Sequence, residues 1–274
     1  MELLVRDANG PRVQSHGFEF LGFKVQKISA GERIDEETGD RELGLVWLGG
    51  TASVESSEGS WSRVGRRPNV FAGMPYALYL PFGVRFSIHA ETECEIAFCY
   101  CRAGRRFPAR LITPSDIEVE IRGAGNATRQ INKIIKPEFP ADRLLVVEVY
   151  TPSGNWSSYP PHKHDVHNPP AEVDLEEIYY YRIDRPEGYA IQKVYTRDRR
   201  LDETLTVRDG EMVLIPEGYH PVVSAHGYTT YYLNALAGSM RSMAASDDPD
   251  YEWVRERWRE KDPRVPVVTM EMEK

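Results

Sequence analysis

The stretch SSYPPHKHDVHNPP, residues 157–170, holds three of the chain's seven histidines, and two of them flank a single lysine. In an extended strand, residues i and i+2 point to one face, so His162 and His164 would aim their rings at a common point. Converging neutral imidazoles suit a divalent transition metal such as Zn, Mn, Fe or Ni. An exposed polar turn would explain the same letters without any chemistry, so further ligands decide the matter. In LEEIYYYRI, residues 175–183, strand alternation puts Glu177, Tyr179, Tyr181 and Ile183 on one face. A carboxylate at the head of such an apolar face needs a partner if it is buried. In DGEMVLIPEGYHPV, His220 follows a Pro-Glu-Gly turn at the start of a further strand. His162, His164, Glu177 and His220 together form a three-histidine, one-carboxylate shell with open positions, a site for chemistry rather than a structural clip. Such a mixed nitrogen and oxygen shell is a poor match for Ca or Mg.

The elements that must hold these residues are short strands. GLVWLGG, YALYLPF, RFSIHA, LLVVEVYT, EEIYYYRI, AIQKVYT, MVLIPEG and TTYYLNALAG are each bounded by Gly, Pro, Asp or Asn, the pattern of a mainly-β sandwich or barrel. One helix is expected around DPDYEWVRERWREKDP, capped by Asp248 or Asp250, and a shorter one at residues 127–135. The last residues, RVPVVTMEMEK, read as loosely held or packed against a partner. YALYLPFGVRFSI and MVLIPEGYHPVVS share an apolar strand, a proline and a glycine two residues before a marked position, Arg85 in the first and His220 in the second. This repetition suggests two β-barrel lobes of one kind, dividing near residues 122–143.

Composition bounds the function. A chain of 274 residues with 41% hydrophobic and 28% charged residues can bury a substantial core. A net charge of −8 argues against a general nucleic-acid or anionic-membrane binder, yet a few local cations can still hold a small anion. No apolar run is long enough to span a membrane, and the first residues lack the features of a secretory signal, so a cytoplasmic location is expected. Cys94, Cys99 and Cys101 fit no zinc spacing and alternate within a strand, as buried structural thiols do.

The four ligand positions resemble the two cupin motifs: a histidine pair and a glutamate, then a proline-glycine turn and a third histidine. Twelve residues separate His164 from Glu177, which implies an inserted loop, DVHNPPAEVDLE, and raises His167 as a substitute ligand. NWSSYPPHKHD, LEEIYYYRI, QKVYT, LDETLTVRDGEMVLIPEGYHPV and YYLNALAG, with GNATRQI upstream, resemble the 5-deoxy-glucuronate isomerases of inositol catabolism. They resemble more distantly the isomerases of 4-deoxy-5-keto-uronate from pectin breakdown. The resemblance implies a bicupin, two double-stranded β-helix (jelly-roll) lobes with a few short helices. Residues 1–125 would form a degenerate lobe in which Arg85 replaces a histidine, and residues 126–274 a metal-binding lobe. It also implies a metal-dependent aldose–ketose isomerisation of 5-deoxy-D-glucuronate to 5-dehydro-2-deoxy-D-gluconate, with one divalent transition metal, Zn or Mn first, then Fe or Ni. A small sugar acid would be the partner, without nucleic acid or membrane, and a homo-oligomer is compatible with it.

For the proton transfer the candidates are Lys193, Tyr179 and Tyr232, with Tyr195 and Glu217 behind them; a hydride shift would need no base. Lys193, Arg241 and Lys163 are candidates for the substrate carboxylate, Gln192 and Tyr232 for its hydroxyls, and Tyr181 shares the Glu177 face. Rival readings are the 4-deoxy-5-keto-uronate isomerase itself, a metal-dependent cupin dioxygenase, and a non-catalytic sugar-acid-binding cupin.

Overall fold

Each apolar run marked above forms a strand, among them Arg41–Gly49, Leu175–Ile183 and Thr230–Gly238. The computed structural model describes residues 2–6, 13–14 and 17–273. The described residues divide into two compact units. One is drawn from residues 2–6, 119–133 and 147–267, the other from residues 13–14, 17–118, 134–146 and 268–273, so each takes segments from both sides of residue 125.

In the first unit the strand Leu175–Ile183 lies between Met212–Ile215 and Thr230–Gly238, antiparallel to both. The sheet ends at Leu4–Val5, where Leu4 pairs with Val213 and Val5 with Met212. A four-stranded sheet runs in the order Trp156–Ser157, Val222–Ser224, Ala190–Tyr195, Asp202–Val207. A two-stranded ribbon pairs His162 with Asp247 and Lys163 with Ser246.

The second unit repeats this order. Arg41–Gly49 lies between Ala77–Leu80 and Cys94–Arg102, and a four-stranded sheet runs Arg33–Glu37, Arg85–Ala90, Ala52–Ser56, Gly59–Val64. Its interior is filled by Leu43, Leu45, Trp47, Leu78, Phe86, Ile88, Ile96 and Phe98. Arg85, in the position matching His220, lies on the exposed side beside Glu37. Glu42 is the buried fastening of this unit: it accepts from the Tyr79 hydroxyl at 2.8 Å and from the backbone N–H of Asp142, Arg143 and Leu144 at 2.7–2.8 Å. All three cysteines are free and buried, as their alternation implied.

Two expected helices are corrected. Residues 127–135 contain the strand Arg129–Ile135, because the β-branched Ile131, Ile134 and Ile135 find sheet neighbours and burial on both faces. Near the end only a six-residue 3-10 turn forms, Glu252–Arg257. Asp248, expected as the helix cap, accepts the Tyr195 hydroxyl at 2.7 Å and the Asp250 N–H at 3.1 Å, and Trp253 is left 49% exposed. The terminal segment is anchored at Val268, which is buried.

Candidate metal centre

Glu177 points from the middle of the sheet to the face that its partners Ile215 and Leu236 share. His164 reaches it from the ribbon, its Nε2 3.0 Å from Glu177 Oε2. His220 reaches it from the turn before Val222–Ser224, its Nε2 3.3 Å from the same oxygen. Ligand atoms of His164, Glu177 and His220 all lie within 4.8 Å of one another, and all three residues are buried. The His162 ring stands edge-on to His220 at 4.9 Å between centroids, beside that trio.

The turn carrying His220 is held from both directions. Tyr195 and Tyr219 exchange backbone hydrogen bonds of 2.8 and 2.9 Å. Gly218 has φ +87°, and a Cβ there would sit 2.6 Å from the Tyr195 carbonyl oxygen, so only glycine makes this approach. The Gly218 N–H donates to Asp165 at 2.7 Å, which ties the turn to the histidine ribbon.

The twelve-residue insertion separates His164 from Glu177 in sequence but not in space. Leu175 N–H donates to the His164 carbonyl at 2.7 Å, and His164 Nδ1–H donates back to the Leu175 carbonyl at 3.1 Å. Inside the loop, Glu172 gathers three donors on one oxygen: Lys163 Nζ at 2.8 Å and the Asp165 and Val166 N–H at 2.9 Å.

These bonds settle which nitrogens are free to ligate. His164 Nδ1 faces a carbonyl oxygen, as does His220 Nδ1, 2.9 Å from Gly218 O, so each Nδ1 carries the proton. In the neutral rings both Nε2 lone pairs then face a carboxylate oxygen, and His220 Nε2 is buried with no hydrogen-bond partner. Only a cation reconciles three acceptors at one point. Such carbonyl-anchored imidazoles are the usual support of a metal ligand, so the residues present fit a divalent metal.

Without a metal, protons must supply that charge. Burial acts to lower His164, but the hydrogen bond and charge of Glu177 outweigh it and raise the ring. Burial acts to raise Glu177, yet its contacts with His164 and His220 hold the carboxyl down at about 2. Burial, then the neighbouring His220 and His164, push His162 well below the usual imidazole range.

The model of the KduI/IolB family matches residues 8–254. The chain belongs to the KduI/IolB family. Among curated relatives, the 5-deoxy-glucuronate isomerase of Geobacillus thermodenitrificans is 48% identical over 89% of this chain and 89% of its own. That of Bacillus subtilis strain 168 is 41% identical over 87% and 89%. The crystal structure of an IolB-like protein from Salmonella typhimurium LT2 superposes with a TM-score of 0.89 at 39% identity, covering 93% of this chain and 99% of the other. Bacillus subtilis oxalate decarboxylase, at 13% identity and a TM-score of 0.63 over 90% and 79%, shares the cupin-like fold.

Around the trio stands a tyrosine wall. Tyr181 pairs across the sheet with Tyr232, and Tyr179 with Asn234, so these side chains share the Glu177 face. Tyr179 and Tyr232 are 4.8 Å apart between centroids, and Tyr179 lies 5.9 Å from the His220 ring. The Tyr179 hydroxyl is 3.0 Å from Ser158 Oγ. Tyr181 donates to Gln192 Oε1 at 2.8 Å, and Gln192 Nε2 lies 3.4 Å from the His220 carbonyl. Burial pushes the hydroxyls of Tyr179, Tyr181 and Tyr232 upward, so they stand as proton donors at neutral pH.

Gln192, Tyr179, Tyr181 and Tyr232 are thus brought to the face shared by His164, Glu177 and His220, and other candidates are not. Lys193 follows Gln192 on the strand and takes the opposite face, where its Nζ meets Asp202 at 2.6 Å. Lys163 lies between Asp165 and Glu172 at 2.5 and 2.8 Å. Glu217 pairs with Arg200, Tyr195 with Asp248, and His167 donates to Asp174 at 2.7 Å on the exposed side. Arg241 sits half-buried in the loop before Ser246–Asp247. Sequence reasoning passed over Asp165, Glu172, Ser158 and Arg129; only the acids' place inside an insertion between two ligands could have marked the first two.

Proposed function

We propose that this chain is a metal-dependent isomerase converting 5-deoxy-D-glucuronate to 5-dehydro-2-deoxy-D-gluconate. The observation that carries the metal requirement is the buried meeting of two lone-pair nitrogens and a carboxylate oxygen. The substrate assignment rests on curated relatives of the same name, 41–48% identical over most of the chain. The repeated strand order supports a bicupin with a metal-binding lobe and a second lobe whose interior is apolar.

The reaction removes a proton from C2 of the aldehyde sugar, delivers one to C1, and shifts a hydroxyl proton from O2 to O1. His162, His164, Glu177 and His220 would hold a divalent cation, which would supply Lewis acidity for this isomerisation. The protein's own residues orient the sugar and move the hydroxyl proton. Tyr179, kept protonated by burial, shares a hydrogen bond with Ser158, and this hydroxyl pair can take up and return the hydroxyl proton, with the Tyr232 ring packed against Tyr179 at 4.8 Å between centroids. Gln192, fixed by Tyr181, offers its amide N–H as a further donor to a sugar oxygen.

The test combines metal analysis of the purified protein with assays on 5-deoxy-glucuronate and on 4-deoxy-5-keto-uronate, with and without chelator. The expected outcome is bound transition metal and conversion of the first substrate that chelation abolishes. His162→Ala should lose metal and activity together. Metal-loaded protein that leaves 5-deoxy-glucuronate unchanged refutes the reading, and turnover of the pectin-derived acid alone transfers it to the sister reaction.

A further inference from the structure

Among the described residues, Arg129 is a buried cation with no ion-paired partner. It begins the strand Arg129–Ile135 and is 3% exposed. Its Nη1 donates to the Ala127 carbonyl at 3.0 Å and the Tyr159 carbonyl at 3.1 Å. Its Nε and Nη2 make no hydrogen bond among the described residues. The cations whose charge acts on it are matched: Arg122 with Glu120 at 2.7 Å and Arg255 with Asp247 at 2.5 Å. An unpaired buried guanidinium is costly, and its retention calls for an anion that arrives from outside.

Its surroundings are those of the candidate site. Tyr159 lies three residues before His162, and the charge of Arg129 acts on both Tyr232 and His162. Burial brings Arg129 down to about 10, so it remains a cation at neutral pH. An arginine that has spent one nitrogen on two carbonyls, with Nε and Nη2 unused, offers the two parallel donors that a carboxylate takes in bidentate fashion.

We propose that Arg129 forms the carboxylate subsite, binding the acid end of a sugar acid whose other end lies at the His162, His164, Glu177 and His220 cluster. The subsite rests on the isomerase reading only for which acid it holds. It makes the site selective for acids over the corresponding alcohols.

The experiment uses two inert ligands that differ only at the terminal group, 2-deoxy-D-gluconate and 2-deoxy-D-glucitol. Neither has a carbonyl to isomerise. Calorimetry on metal-loaded wild-type protein should show the acid binding roughly ten- to hundredfold tighter than the alcohol. Arg129→Gln should bring the ratio close to one with metal content and alcohol affinity unchanged, and Arg129→Lys should restore part of it. Three outcomes overturn the subsite: a wild-type protein without preference for the acid, an Arg129→Gln variant that keeps the preference, or one that loses acid and alcohol binding alike. The last would mean that Arg129 only holds the two carbonyls in place. An Arg129-dependent preference in a protein inert toward 5-deoxy-glucuronate would sink the isomerase reading and leave the subsite standing.

Discussion

Glu172→Ala tests whether the inserted loop is a built support for the metal residues. The Glu172 side chain accepts three hydrogen bonds on one oxygen, and the residue is 5% exposed. Lys163 keeps Asp165 in the variant, so the main loss falls on the Asp165 and Val166 N–H groups. A hydrogen bond to a charged acceptor contributes about 1.5–3 kcal/mol, and partial access of water to the loop reduces this. A loss of about 2–4 kcal/mol follows, and with it a fall of about 4–7 °C in the melting midpoint. Because the loop ends clasp His164 through Leu175, metal affinity should drop about ten- to hundredfold. Glu172→Gln, which keeps an accepting oxygen, should lose less than half as much stability. Thermal melts and metal titrations measure both effects, and hydrogen exchange at residues 164–175 locates them. A Glu172→Ala protein with wild-type midpoint, exchange protection and metal affinity would refute the idea that the insertion is anything but a tolerated surface loop.

Other outcomes follow from the same structure. Glu42→Ala, which orphans the Tyr79 hydroxyl and three backbone N–H groups in the second unit, should destabilise by about 3–5 kcal/mol and leave metal binding intact; denaturant unfolding with metal analysis checks it. Hydrogen bonding from Arg122, against the opposing pull of burial, holds Glu120 at about 2. A depressed carboxyl adds stability that is complete above its unfolded value near 4.5 and is lost as pH falls toward 2, so Glu120→Gln should flatten the acid limb of a stability–pH curve. None of the three cysteines should react with a thiol reagent in the native protein, and all should react in denaturant, since each is buried. Gly238→Ala should fold poorly, because its Cβ would fall 1.8 Å from the Asp174 carbonyl oxygen, and circular dichroism would show the loss.

The convergence of His164, Glu177 and His220, with His162 beside them, was legible because strand periodicity and a glycine turn are local signals: His162 and His164 two apart, Glu177 leading an alternating face, His220 after Pro-Glu-Gly. Alternation could also have removed Lys193, since consecutive strand residues cannot both face the site occupied by Gln192. Arg129 was hidden because residues 127–135 carry helical and extended patterns alike, and sheet pairing rather than propensity decides between them. Asp165 and Glu172 look like any solvated loop acids until the loop closes on itself. Asp248 reads as a helix cap, and tertiary structure spends it on Tyr195 instead.

The pairing of Leu4–Val5 with Met212–Ile215 has a consequence for synthesis. The edge of the sheet that carries Glu177 is completed by residues translated about 200 positions before their partner. During elongation this short strand must stay unclaimed while the intervening chain folds, and it can dock only after residue 215 has cleared the ribosome. A segment fused ahead of Leu4 therefore loads an edge of the Glu177 sheet that closes late, after most of the strands beside it have already been made.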